Sequence, residues 1–331
     1  MKFAYKLSIH GQHPGTQFSK LRDLALHAEE VGFDGVFVVD HLRLPAERLV
    51  GYSEAHPDRP YFLDAWTSIA ALSEVTSTVR LGPQVTPIGL RHPVFVARWG
   101  ATVDSISNGR LLLQVGAGHQ RVEYESHGLA FPELKARIEA LREGVEIIRL
   151  LWTSEEPVSY RGEHYVLRDV PFWPKPVQPM PEIWLGGASP GVRRLVADLG
   201  DGWSPAAPQR DGLDPAFFRD ALAEIRERAG GRAITGGALF YCIISDDPSE
   251  VGEGLALLRR RQDWADFDRD EIQRRGIALA GSPGEIVESI GRYAAAGVEY
   301  FTVAFIPLSD IGRSHRALDL FATEVIPELA S

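Results

Sequence analysis

The chain has 331 residues, 44% of them hydrophobic, and a formal net charge of −10, with a sequence pI near 5.5. Thirty of its 35 basic residues are Arg, and they are dispersed rather than clustered, which argues against nucleic acid or an anionic membrane as a partner. The single cysteine, Cys242, excludes an intrachain disulfide and argues against a cysteine-ligated metal site, while no apolar run is long enough to span a bilayer. The N-terminal stretch MKFAYKLSI has no apolar core of a secretory signal, so a cytoplasmic place is expected.

Taken in order, Phe3 to Ile9 is a short apolar strand, and residues 18–31 carry helical spacing that Gly32 stops. VFVV at 36–39 is a second strand, ending on Asp40-His41. An irregular stretch rich in Pro, Arg and Glu comes next over 42–60, then a helix over 64–75. VRLGPQV at 79–85 predicts a third strand, and its two flanking prolines predict a bulge there, because proline is poorly tolerated inside a central strand. A helix near 94–106 leads to the strand LLLQV at 111–115, which runs into Gly116-Ala117-Gly118-His119. A long helix spans about 134–152.

Residues 153–181 hold six prolines and a Tyr160-Arg161-Gly162-Glu163 turn, which predicts an excursion containing a hairpin. The fifth strand lies at 183–185, ending in Gly186-Gly187, and a sixth at 201–205 comes after a helix near 190–199. Asp214-Pro215, Asp247-Pro248-Ser249-Glu250 and Ser282-Pro283-Gly284-Glu285 are helix starts, with a cap and a proline in the first turn. Strands at 238–244 and 300–305 and a closing helix from about 314 complete the pattern. Strands and helices thus alternate eight times, and most strands are solid apolar runs, as buried parallel strands should be. The expected fold is an α/β, (β/α)8 TIM barrel over 1–331, a single domain with insertions near 42–60 and 153–181; a doubly wound open sheet is the alternative.

In such a barrel the residues after each strand converge on one mouth. His10, Asp40-His41, Gln84-Val85, Gly116–His119 and Gly186–Ser189 belong to that set. An imidazole can move a proton near neutral pH, and a carboxylate beside it can orient it; equally, Asp40 can cap a turn and His41 be an ordinary rim residue. The glycine stretches VGAGH and LGGAS let backbone N–H groups approach an anion, or serve only as tight turns. A Rossmann fingerprint fails, since Arg121 stands where a third glycine is needed. The histidines show no HxH or HExxH spacing, so no metal is assigned, although His41, His119 and a carboxylate leave metal hydrolysis open.

The string LG.QVTP...RHP...AR..AT.DSIS.GRLLLQVGAG....E...HG over 81–128, LGGASPGVRRLVADLGDGWSP over 185–205 and the Asp-His after the second strand resemble the bacterial luciferase-like monooxygenase superfamily. The similarity runs collinearly over nearly the whole chain. It implies a luciferase-like barrel that binds a flavin or the deazaflavin coenzyme F420 at the strand C-termini, with GFDGVFVVDHL closest to the deazaflavin branch.

By that resemblance Asp40 holds the cofactor, His41 handles a proton at its reactive face, and a cis peptide joins Gln84 to Val85 beneath the ring. Backbone at Gly116, Ala117, Gly118 and at Gly186, Gly187, Ala188 holds its tail and phosphate. His119 stands where the sugar-phosphate dehydrogenases of that branch place a catalytic glutamate, and Pro45 where they place a tryptophan, so glucose 6-phosphate is not carried over. His119 becomes a second catalytic candidate, and His10, Gln12 and Pro45 pocket residues. Both insertions are expected to shape the pocket. The function implied is an F420-dependent oxidoreductase passing a hydride between the deazaflavin and a small organic substrate, as a homodimer. A reduced-FMN monooxygenase is the alternative, and a non-catalytic flavin-binding protein a lesser one.

Overall fold

The structure, a computed structural model, describes residues 1–8, 10–11, 17–44, 61–206, 212–260, 264–307 and 310–330. Strand β1 (Lys2–Leu7) pairs in parallel with β2 (Gly35–Val38) on one side and β8 (Tyr300–Phe305) on the other. β2 in turn pairs with β3, which runs in two pieces, Arg80–Pro83 and Thr86–Pro87, around a cis peptide between Gln84 and Val85. The first piece bridges Leu111 through Leu81, and the second pairs with β4 (Leu113–Gly116). From there β4 pairs with β5 (Ile183–Gly186), β5 with β6 (Gly202–Trp203), β6 with β7 (Thr235–Ile244), and β7 with β8. The ring is closed and every neighbour is parallel, so the expected barrel is the observed fold.

Sequence explains the local geometry. The apolar strand runs are buried from end to end in β2, β4 and β8. Inside the barrel, Ala4, Phe37, Leu112, Trp184 and Tyr300 form their own buried cluster and fill its width with side chains, as barrels of this size require. Helices start where the caps predicted: Ser282 and Glu285 make a reciprocal capping box, and Asp214 caps Pro215–Arg228 with proline in the first turn. At Asp247 the cap forms, but Glu250 turns away to accept the Ser245 hydroxyl at 2.7 Å.

Several short elements of the structure are absent from the sequence expectation. A strand at Ala278–Gly281 pairs with the C-terminal half of β7, on the edge away from β8. Two six-residue helices, Arg121–Ser126 and Arg269–Arg274, are too short to show a period. The excursion does hold an antiparallel hairpin, Val158–Arg161 with Val166–Val170. Among the described residues no helix is long and apolar enough to cross a membrane.

Candidate active site

A cavity of about 350 Å³ opens at the C-terminal ends of the strands. Its wall is built from residues at and just past those ends: His41 after β2, Gln84 and Val85 at the break in β3, Gly116, Ala117, Gly118 and His119 at the end of β4. Gly186, Gly187 and Ala188 close the ring at the end of β5, with Lys6 and Tyr241 contributed by β1 and β7. Most residues singled out in the sequence therefore meet in one place, because the parallel closed sheet points every strand end at one mouth.

Val85 explains why two of these strands end in glycine. The cis peptide carries its side chain inward, and a β-carbon on Gly116 would lie 2.9 Å from one Val85 methyl. A β-carbon on Gly186 would lie 2.9 Å from the other. These glycines make room for a neighbouring side chain. Gly118 and Gly187 differ, since both adopt positive φ, 77° and 122°, a region other residues enter only with strain. Ser189 then caps the helix Pro190–Leu199, which leaves that helix N-terminus beside the cavity.

Asp40 does not line the cavity. Its side chain is 1% exposed and turned inward, where one oxygen accepts the Thr86 hydroxyl at 2.8 Å and the other accepts Arg91 at 3.0 Å. Arg91 also donates to Asp64 at 3.0 Å, and Thr86 accepts the Trp66 indole at 3.0 Å. Burial pushes the Asp40 carboxyl above its usual range, with Arg91 and Thr86 pulling the other way. The Asp40 side chain thus braces the wall behind His41.

His41 is the imidazole of that wall, and its Nδ1 stands 3.2 Å from the carboxylate of Glu123. Glu123 is 1% exposed and also accepts the backbone amides of Leu42 and Arg43. His119 packs its ring edge-on to His41, centroids 5.6 Å apart. Glu123 is a site residue that sequence reasoning missed, as are Lys6, Gln120 and Tyr241 of the cavity wall. It stands as the lone acid of the string after VGAG, and it can be found only if that loop is folded back onto the end of β2.

One further expectation changes. Among the described residues, nothing from 153–181 lines the cavity. The hairpin instead lies on the helix Leu134–Thr153, where the buried Glu143 accepts the amides of Glu163, His164 and Tyr165 at 2.7, 3.0 and 3.0 Å. Gln12 and Pro45 fall outside the described residues, as does most of the 42–60 insertion. His10 lies in a two-residue strand, His10–Gly11, paired with Tyr61–Phe62. The one cluster of metal-ligand type among the described residues, Glu139, Glu163 and His164, is partly to fully exposed and away from the cavity.

Comparison with known proteins adds four likenesses. The family model for luciferase-like monooxygenases matches residues 1–300. A protein of Amycolatopsis mediterranei named F420-dependent glucose-6-phosphate dehydrogenase is 36% identical, over 99% of this chain and 98% of its own length. Among solved structures, an F420-dependent secondary alcohol dehydrogenase in complex with an F420-acetone adduct superposes with a TM-score of 0.80 at 23% identity, covering 99% of this chain and 98% of that one. A monooxygenase from Streptomyces bottropensis gives 0.81 at 24%, covering 99% and 100%. At those identities the two structures speak for the fold alone.

Proposed function

Since this chain belongs to the luciferase-like monooxygenase family, we propose that it is a coenzyme F420-dependent oxidoreductase passing a hydride between the deazaflavin and a small organic substrate. The observation that carries the proposal is the cavity itself. It sets an imidazole with a carboxylate at its back beside glycine-rich backbone, at the end of the barrel where such folds do chemistry.

The residues present fit a cofactor of this kind. Gln84 and Gln120 both line the cavity, and each keeps one buried side-chain atom without a partner among the described residues: Oε1, an acceptor, on Gln84, and Nε2, a donor, on Gln120. A ring edge bearing both N–H and C=O groups would complement them. The turn at Gly187 and Ala188, with the helix N-terminus behind it, suits a phosphate. When bound, the deazaflavin supplies the two-electron chemistry. The chain's own part is to orient the substrate, exclude water and handle the accompanying proton, which falls to His41 with His119 beside it. A homodimer in the cytoplasm belongs to the same proposal and is supported by the sequence resemblance.

Titrating the purified protein with coenzyme F420 and with FMN, each oxidised and reduced, tests the reading by fluorescence and calorimetry. Micromolar binding of F420 is expected. Micromolar binding of FMN with none of F420 would overturn it in favour of a monooxygenase.

A further inference from the structure

Glu123 lies one hydrogen bond behind the proton-handling residue and has no solvent of its own. It sits in the first turn of the short helix Arg121–Ser126, between the loop after β4 and the residues just past β2. One carboxylate oxygen accepts the amides of Leu42 and Arg43, the two residues next to His41. The other is the nearer to His41 Nδ1, at 3.2 Å, with the first at 3.3 Å. An ionised carboxylate can only accept, so the ring nitrogen that faces it must carry the hydrogen. A neutral imidazole with Nδ1–H has its lone pair on Nε2, and His41 lines the cavity.

We infer that Glu123 is a positioning residue for His41, locking the Nδ1–H tautomer so that Nε2 takes up and gives back the reaction's proton; the inference rests on the oxidoreductase reading above. The balance is simple. A proton arriving at Nε2 makes an imidazolium, Nδ1 keeps its own hydrogen, and the carboxylate offsets the new positive charge without being protonated. Nε2 later returns that one proton. An orienting carboxylate behind an imidazole is worth having because it fixes both the ring's angle and which nitrogen is basic.

A purely structural role for Glu123, tying down the Leu42-Arg43 backbone, is the competing account, and the amide variant separates the two. In Glu123→Gln the side-chain oxygen still accepts both backbone amides, but the NH2 group turns a donor toward Nδ1. That favours the opposite tautomer, with the hydrogen on Nε2. Other charged or titratable groups face the pair: His119 across the cavity, His127 donating to the Glu123 carbonyl at 2.7 Å, Tyr124 and Arg43 alongside, and Asp40 with Arg91 behind. None of these others makes a hydrogen bond to His41 Nδ1 among the described contacts.

The test is long-range proton–nitrogen spectroscopy of histidine-labelled protein, with the His41 ring signals identified by their loss in His41→Ala. The neutral wild-type ring is expected as the Nδ1–H tautomer, Glu123→Gln as the Nε2–H tautomer, and Glu123→Asp as a return to Nδ1–H. A wild-type ring in the Nε2–H form, or a Gln variant with an unchanged tautomer, overturns the inference. If the Gln variant does not fold, the wild-type spectrum decides alone. The readout needs neither cofactor nor turnover, so failure here is distinct from failure of the cofactor titration.

Discussion

Thr86 serves two buried polar groups with one hydroxyl: it accepts the Trp66 indole and donates to Asp40. Thr86→Val keeps the shape and removes the hydroxyl, leaving an indole N–H and a carboxylate oxygen unpaired in the interior. A loss of about 1–3 kcal/mol is expected, measured as the fall in urea midpoint at unchanged slope. A variant as stable as the wild type would mean that water or a side-chain shift replaces the bond. The Asp40-His41 pair itself is legible in the sequence, since an acid and an imidazole close an apolar strand run. Their partners are not, because Thr86 and Arg91 lie 46 and 51 positions from Asp40, and Glu123 lies 82 from His41. Such distances are bridged only by barrel closure. That is why the bracing bonds of Asp40 to Thr86 and Arg91 cannot be read from the sequence.

The break in β3 governs how the neighbouring strands end. The sequence shows the break through its two prolines and shows glycines at the ends of β4 and β5, but it does not show that these features meet. Two glycines near a strand end suggest an anion cradle on their own; with Val85 between them, Gly116 and Gly186 are also a matter of space. In Gly186→Ala the new methyl would lie 2.9 Å from a Val85 methyl and 3.5 Å from the Ser204 carbonyl. Valine is short and stiff at its branch, so it must move as a unit with its backbone. Coenzyme F420 affinity is expected to fall at least about tenfold, roughly 1.4 kcal/mol, measured by the same fluorescence titration. An unchanged affinity would show that Val85 does not support the bound ring. The strand at Ala278–Gly281 escapes a sequence reading for a plainer reason: four apolar residues before a helix cap carry no period to separate strand from helix.

At the scale of the whole molecule the eightfold alternation favours the closed barrel, but a doubly wound open sheet buries both faces of its strands too, and it is the bridge from Leu81 to Leu111 that closes the ring. What alternation cannot say is which insertion reaches the mouth. Aromatic and proline-rich, the 153–181 excursion invites a pocket-shaping reading, yet its turn is fastened to the outer helix by Glu143 and its Tyr160 hydroxyl donates to Glu146 at 2.7 Å. Three amides share one buried carboxylate there, so Glu143→Ala leaves three donors to find water. The expected loss is about 1–3 kcal/mol, with new protease cleavage between 161 and 165. Because the hairpin is remote from the cavity wall, coenzyme F420 affinity should stay within about twofold, a difference of roughly 0.4 kcal/mol. A tenfold loss of affinity in a folded Glu143→Ala protein would instead make the hairpin part of the site and would restore the role its composition suggests.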